Sequence, residues 1–338
     1  MKVLIAPLNW GLGHASRCVP LVRRRLAQGD EVLLAGCGES LLLLRRHFPD
    51  LRVVELPPLE LSYSSGDSQV FAVLRALPKI VRQSIGAHRV LRRLLRREPI
   101  DLVISDNLFG FWSRWVHSVY ITHQLRIPMP GRNKMLESIA IWAHRQVWRH
   151  YDEVWVPDYE DPTRALGGTM SHIRRKDKRI RYIGPLSRFE GCRGMELESD
   201  YKGYDIVAVL SGLEPQRTLF EERICSLYAG RKARVLIVGG KINCPPTRLR
   251  HGNITRVAHL NDTDLAAALL SAGWIISRSG YSSIMDLAAL GVLYTKTEVV
   301  PTPGQPEQVY LAILHGSLPV WGSVPADSGE EPLPRVPW

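Results

Sequence analysis

The sequence predicts an α/β chain built of two doubly wound, parallel-sheet domains. Three observations carry this reading. Short apolar runs at Lys2–Leu8, Asp101–Ser105, Asp205–Leu210 and Trp274–Ile276 stand as core strands, bounded by polar or glycine-containing turns. Strand, glycine turn and helix recur in both halves, the pattern of doubly wound, Rossmann-like domains facing across a cleft. At 338 residues the chain is long enough for two cores of ordinary size.

Lys2–Leu8 leads through NWGLGHASR into an apolar helix, Cys18–Ala27. Gly11 and Gly13 permit a tight turn and a close ligand approach, and His14 then sits at the carboxyl end of the sheet, where open α/β sheets bind ligands. No Gly-Lys-Ser/Thr follows, so the turn is not a P-loop, and a dinucleotide fingerprint would need a third glycine. Strands follow at Glu31–Ala35 and Arg52–Leu56, then a polar loop over 57–70. A long helix runs from Phe71 to Arg97, interrupted near Pro78 and Gly86. Its apolar residues, Leu77, Ile80, Val81, Leu91 and Leu94 among them, predict packing on the sheet, and its arginines predict solvated charge. A basic amphipathic helix of this kind also suits weak contact with an anionic membrane surface.

Asp101–Ser105 delivers Asp106 and Asn107 to its carboxyl end, and Val119–Thr122 delivers His123 and Gln124. The catalytic candidates are therefore His14, Asp106 and His123. A histidine titrates near neutrality and serves as a general base, and either Asp106 or His123 could orient or replace His14. Gly11, Gly13, Arg17, Asn107 and Gln124 are expected at the same edge. A helix around Lys134–Arg149, a strand at Glu153–Val156 and another at Arg181–Gly184 complete an N-terminal domain over 1–186, followed by a polar linker over 187–203.

The second domain, 204–315, opens with strand Asp205–Leu210 and SGLEPQRT. Ser211 and Gly212 make a second glycine turn, and Arg217 at the following helix start completes a diphosphate clamp. Strands follow at Arg234–Val238 and Ile254–Ala258, with an irregular loop between. Asp262 or Thr263 is expected to cap a helix over Asp264–Ala272. Asp-Thr-Asp at a helix start reads as capping, so no obligatory metal is expected. Trp274–Ile276 then leads to SRSGYSSIMDLAALG. Ser279, Gly280 and Ser282 surround a helix N-terminus suited to phosphate, and Asp286 is placed for a ribose diol. The helix ends at Gly291 in a left-handed cap. Beyond the next strand, PTPGQPEQ holds Gln305, Glu307 and Gln308 on a stiff loop, as amides and a carboxylate for sugar hydroxyls. The segment 316–338 reads as an irregular tail rich in Gly and Pro.

Composition limits the function classes. With 45% hydrophobic and 23% charged residues the chain is neither disordered nor a membrane bundle. No apolar run reaches the roughly 18–20 residues of a spanning helix, and the apolar run at the N-terminus is too short for a signal peptide. Five scattered cysteines without paired ligand spacing fit a reducing, cytoplasmic setting. The formal charge of +11, mostly arginine, favours anionic partners such as phosphorylated substrates. No RNA- or DNA-binding signature accompanies it, so nucleic acid is not expected.

GLGHASR, SGLEPQRT, and SRSGYSSIMDLAALG followed by PTPGQPEQ resemble, in sequence and order, motifs of the family 28 glycosyltransferases. The resemblance implies the GT-B fold, with a UDP-sugar donor in the C-terminal domain, an acceptor in the N-terminal domain, and inversion at the anomeric carbon. It implies a hexose such as N-acetylglucosamine moved to a glycan or lipid-linked acceptor of the cell envelope, with the enzyme peripheral on the membrane. No cofactor is implied, the UDP-sugar being a substrate. Carried over, Ser211 and Arg217 hold the diphosphate, Asp286 the ribose, and Gln305, Glu307 and Gln308 the sugar, while His14 lies near the acceptor hydroxyl. The resemblance also implies that Gly11, Gly13, Arg17, Asn107 and Gln124 face the acceptor. The family's longer glycine-rich loop is reduced here to GLGH, which leaves the acceptor open. A UDP-sugar hydrolase or epimerase on the same fold, and a basic nucleotide-sugar or nucleic-acid binding protein, are the alternative readings.

Overall fold

A computed structural model describes residues 1–58, 69–128, 134–173, 177–245 and 247–316. The polar loop from 59 to 68 and the tail beyond Gly316 lie outside the described residues. The chain divides into two compact units, the first ending at Arg188 and the second beginning at Phe189. The stretch expected as a linker is largely exposed and anchored at a few points. Phe189 is 1% exposed, and the Ser199 hydroxyl donates to Asp264 at 2.7 Å.

The first unit is a seven-stranded parallel sheet. Its strands are β1 (Lys2–Pro7), β2 (Glu31–Gly36), β3 (Val53–Glu55), β4 (Leu102–Asp106), β5 (His117–Ile121), β6 (Glu153–Val156) and β7 (Ile180–Tyr182), in the order β3-β2-β1-β4-β5-β6-β7. The central strands are apolar without alternation because helices cover both faces. Register aligns Pro7 with Asp106 and Asp106 with Ile121, so β1, β4 and β5 end together. The helices are α1 (Gly13–Ala27), α2 (Gly38–His47), α3 (Gln69–Leu95) and α4 (Lys134–Trp148).

Two of these helices differ from expectation. α1 begins at Gly13, ahead of Cys18, which places His14 and Arg17 in its first turns. The apolar count understates this start because its residues are polar yet buried. α3 runs unbroken through Pro78 and Gly86. The glycine serves packing, since a Cβ at Gly86 would lie 2.8 Å from Cγ of Pro57. The apolar residues of α3 also divide. Ile80, Ala87, Leu91 and Leu94 pack on Leu4, Leu33 and Val103, whereas Leu77, Val81 and Ile85 are exposed.

The second unit holds six strands: β8 (Ile206–Val209), β9 (Val235–Val238), β10 (Arg248–His251), β11 (Ile254–Val257), β12 (Trp274–Arg278) and β13 (Thr297–Val300). Their order is β10-β11-β9-β8-β12-β13, parallel except for β10. β10 falls in the expected irregular loop because all four of its residues are exposed and carry no apolar alternation. Helices α5 (Gln216–Tyr228), α6 (Asp262–Ser271), α7 (Tyr281–Leu290) and α8 (Pro306–Leu314) complete the unit. α6 is capped by Asn261, whose side chain accepts from the Asp264 amide at 2.8 Å, in place of Asp262 or Thr263. Gly291 closes α7 at φ 75°, the left-handed conformation its position requires.

Candidate functional site

In the first unit, β1 hands the chain to α1 through a turn that the start of α2 holds in place. Gly11 has φ 76°, and its carbonyl, with that of Leu8, accepts from the Ser40 hydroxyl at 3.3 and 3.2 Å. Asn9 accepts from the Ser40 amide at 3.2 Å, against Gly38, where any Cβ would meet the Asn9 side chain. The turn is thereby fixed by the Ser40 and Asn9 side chains bonding to backbone groups, and His14 inherits its position.

His14, Arg17, Asp106 and His123 form one cluster. Nδ1 of His14 lies 3.0 Å from Oδ1 of Asp106. Arg17 grips the same carboxylate from both sides, Nε donating to Oδ2 at 2.5 Å and Nη2 to Oδ1. Its Nη1 donates to Nδ1 of His123 at 3.1 Å, which leaves the His123 ring proton on Nε2 and makes that ring a donor rather than a base there. Asp106 and Arg17 are 0% and 1% exposed, while 15% of the His14 side chain is open. Of the three candidates, His14 is the one with both an orienting carboxylate and an open edge.

Electrostatics sharpen the assignment. Burial would raise the Asp106 carboxyl, but the Arg17 guanidinium and the His14 ring outweigh it and hold Asp106 well below the ordinary carboxylate range. The carboxylate is therefore ionised and stands 3.0 Å from Nδ1 of His14 as an acceptor, while Arg17 Nη2 stands 2.8 Å from the same nitrogen as a donor. The tautomer with its proton on Nδ1 is the one that presents the Nε2 lone pair as a base. Burial, then the Arg17 charge 2.8 Å from Nδ1, lowers the His14 pKa against the opposing pull of Asp106. His14 is neutral at neutral pH, the state a general base needs.

Arg17, expected on the acceptor side, lies within the cluster, in contact with Asp106, His123 and His14. Its guanidinium is buried and committed to Asp106 and His123, so it positions the cluster from behind. Asn107 stands beside the cluster with φ 57°, a left-handed conformation that asparagine tolerates better than most residues. The Tyr120 hydroxyl donates to its Oδ1 at 2.7 Å and lies 3.0 Å from Nε2 of His144. His144 reaches the Gln124 carbonyl at 3.1 Å, so Asn107 and Gln124 are joined through buried Tyr120 and His144. Burial lowers the His144 pKa to about 4 and keeps it neutral.

The candidate donor site lies in the second unit. β12 ends at Arg278, Gly280 caps α7, and the N–H end of α7 supplies a positive dipole. Ser282 is half-buried and Asp286 is 9% exposed on the same helix. Three of the candidate residues make hydrogen bonds within the frame of this unit. Ser279 is fully buried, its amide donating to Val300 and its hydroxyl to the Gln308 carbonyl at 2.8 Å. Gln308 staples its own loop, Oε1 accepting from the Thr302 amide at 2.8 Å and Nε2 donating to Gln305 at 2.6 Å. Arg217 is paired with Glu214 at 2.9 Å and donates to the Gly240 carbonyl at 3.2 Å. Glu214 also accepts from the Thr218 amide and hydroxyl, so the turn after Ser211 and Gly212 is braced internally. Gly212 has φ 96°, which only glycine adopts freely. Gln305 and Glu307 are half-buried on the loop and first turn of α8.

Arg278 escaped the sequence reading. Buried to 3% exposure, it stacks on Phe220 with Cζ 3.9 Å from the ring centre. Its Nη1 donates to the Pro301 carbonyl at 2.8 Å and Nη2 to the Gln216 carbonyl at 3.1 Å. It thus ties the start of α5, the end of β12 and the PTPGQ loop together. Among the described residues it has no carboxylate partner, and burial lowers its pKa to about 10. The available signal was a lone cation closing an otherwise apolar strand, WIISR.

Among the described residues no group of three His, Cys, Asp or Glu is arranged to hold a metal ion. No family model matches the chain. It is similar to an uncharacterized glycosyltransferase of Methanosarcina mazei, 22% identical over 322 residues, covering 91% of this chain and 81% of the relative. Among solved structures it resembles the glycotransferase of kitacinnamycin, with TM-score 0.58 at 15% identity over 94% of this chain and 84% of that one. It also resembles Phytolacca americana UGT2 complexed with UDP-2fluoro-glucose and pterostilbene, with TM-score 0.56 at 13% identity over 93% of this chain and 82% of that one. The fold is GT-B, two Rossmann-like parallel-sheet domains.

Proposed function

We propose that the chain is a glycosyltransferase that moves a hexose from a UDP-sugar to a hydroxyl group of a glycan or lipid-linked acceptor. The observation that carries the reading is the His14–Asp106 pair, 3.0 Å apart and braced by Arg17. A carboxylate that orients an imidazole whose side chain keeps 15% of its surface open is an arrangement for taking a proton from a nucleophile. The similarity to uncharacterized glycosyltransferases, and a fold shared with a UGT complexed with a UDP-sugar analogue, support the choice of reaction and donor.

In this reading His14 Nε2 removes the acceptor proton as the hydroxyl oxygen attacks the anomeric carbon. The bond to UDP breaks on the opposite face, so the configuration inverts. Asp106 stabilises the imidazolium that forms, and Arg17 keeps Asp106 ionised. The N-terminus of α7 and the turn at Ser211–Gly212 receive the diphosphate as its charge grows. Asp286 takes the ribose, and Gln305 and Glu307 take the sugar, with N-acetylglucosamine the proposed hexose. Helix dipoles and N–H donors supply the leaving-group stabilisation, and no metal is required.

The test is a panel of UDP-sugars incubated with the full chain, with and without a lipid extract, following UDP release and product mass. Acceptor-dependent UDP release with a product heavier by one hexose is expected. Free sugar released at the same rate without acceptor assigns a hydrolase, and a new UDP-sugar without net UDP assigns an epimerase.

A further inference from the structure

The turn after β8 holds two kinds of group that act on an anion in opposite senses. Among the described residues no hydrogen bond engages the Ser211 hydroxyl or the amides of Gly212 and Leu213. Open N–H groups in succession beside a hydroxyl suit a phosphate. Glu214 comes next in the chain with 47% of its side chain exposed, and a carboxylate there repels the same phosphate.

The carboxylate is charged and held in place. Its Oε1 accepts from Nε of Arg217 at 2.9 Å, and Oε2 accepts from the Thr218 amide at 3.1 Å and hydroxyl at 2.8 Å. Burial would raise its pKa, but the bonds from Thr218 and Arg217 outweigh it and lower the pKa below the ordinary 4.5. Glu214 thus takes an amide in the first turn of α5 and the Arg217 guanidinium, two groups that would otherwise serve a phosphate. Arg217 keeps its other contact, Nη1 to the Gly240 carbonyl at 3.2 Å, and its side chain is 13% exposed. A neutral serine or asparagine caps a helix as well, without setting a negative charge beside open amides.

Attraction comes from elsewhere in the same unit. Arg278 holds the Gln216 carbonyl at the start of α5, is buried, and has no carboxylate partner among the described residues. Its charge and the open amides draw an anion, and Glu214 limits how much negative charge is retained. A nucleoside diphosphate esterified to a sugar has no terminal phosphate monoester. The free nucleoside diphosphate has one, and a second ionisation near pH 6 gives it about one further negative charge at neutral pH.

We propose that Glu214 is a specificity-determining residue of the donor site, which admits a sugar-linked nucleoside diphosphate and disfavours the free nucleoside diphosphate left when the sugar departs. The proposal rests on the donor reading of this unit. Its consequence is that the nucleotide product clears the site instead of blocking the next donor.

Binding of UDP and of UDP-N-acetylglucosamine to the full chain is measured by calorimetry for wild type, Glu214→Gln and Glu214→Asp. Glutamine keeps an oxygen for the Thr218 amide and removes the charge. Glu214→Gln should bind UDP about tenfold more tightly and the UDP-sugar at most about threefold more tightly, so the ratio of the two affinities moves. Glu214→Asp keeps the charge and should keep the wild-type ratio. A capping role alone would shift both ligands by one factor, together with the melting temperature. An unchanged UDP affinity in Glu214→Gln, or a ratio that stays fixed, overturns the proposal and leaves the donor reading standing. No binding of either ligand by any of the three proteins overturns both.

Discussion

Arg17 and Asp106, 89 residues apart in sequence, meet in a buried two-pronged ion pair that sets the electrostatics of His14. The cation sits one helical turn beyond the histidine and both face the same carboxylate. Arg17 therefore has two effects on His14, direct repulsion of its protonated form and fixation of its partner.

Removal of His14 tests the base. His14→Ala should lower turnover by about 10²- to 10⁴-fold while leaving donor binding unchanged, since the histidine belongs to the other unit. Steady-state kinetics with a titration of UDP by calorimetry separates the two. Near-normal turnover would contradict the assignment.

The pH profile carries the electrostatics. The His14 pKa is lowered by burial and by Arg17, so activity should fall on the acid side only below the ordinary histidine value of 6.5. Arg17→Met removes the repulsion while Asp106 stays as partner, so the acid limb of kcat/KM should move up in pH. The same change leaves a buried carboxylate without its main partner and should cost about 3–5 kcal/mol of stability. Arg17→Lys keeps the charge and should retain more of the low limb. A limb that stays in place in both variants separates Arg17 from His14.

Arg278→Met should loosen three donor-side segments at once, because the Gln216 and Pro301 carbonyls lose their common donor. Donor KM is expected to rise about tenfold, with kcat changed less, the scale of one charge-assisted hydrogen bond. Arg278→Lys should recover part of it. An unchanged KM in the methionine variant would contradict the tie.

Glu298 predicts a pH-dependent stability. It is 9% exposed, with one oxygen lacking a partner among the described residues. Burial, partly offset by the Trp274 indole, raises its pKa to about 7 from an ordinary 4.5. A raised pKa means that its contribution is present in full below pH 4.5 and lost as pH climbs through 7. Glu298→Gln should then gain about 2–3 kcal/mol over wild type at pH 8 and little at pH 4. Denaturant melts at the two pH values check this, and equal differences at both would contradict it.

The strands and their order of use were legible because core strands in this fold are short apolar runs punctuated by glycine. Lys2–Leu8, Asp101–Ser105 and Trp274–Ile276 show this directly. The convergence of His14, Asp106 and His123 followed from the rule that strands end at one edge, without any geometry. What the pattern could not show was commitment. Arg217, Ser279 and Gln308 have the chemistry of ligand contacts, but their hydrogen bonds go to Glu214, Val300 and Thr302. Arg278 is hard to single out because a buried cation held by the Pro301 and Gln216 carbonyls has no acidic partner to mark it in the sequence, only its place at the end of the strand. The outer face of α3 is not legible in the sequence because Leu77 and Val81 are as apolar as Ile80, and only packing separates them.

The most direct measurement of the central claim is acceptor-dependent UDP release, compared between wild type and His14→Ala across pH 5 to 8 with the same UDP-sugar. Wild type should release UDP together with a glycosylated product and lose activity only toward the acid end. The variant should bind the UDP-sugar with wild-type affinity yet turn over at least about a hundredfold more slowly. Equal turnover by the two proteins, or UDP release with no product formed on any acceptor, would contradict the account.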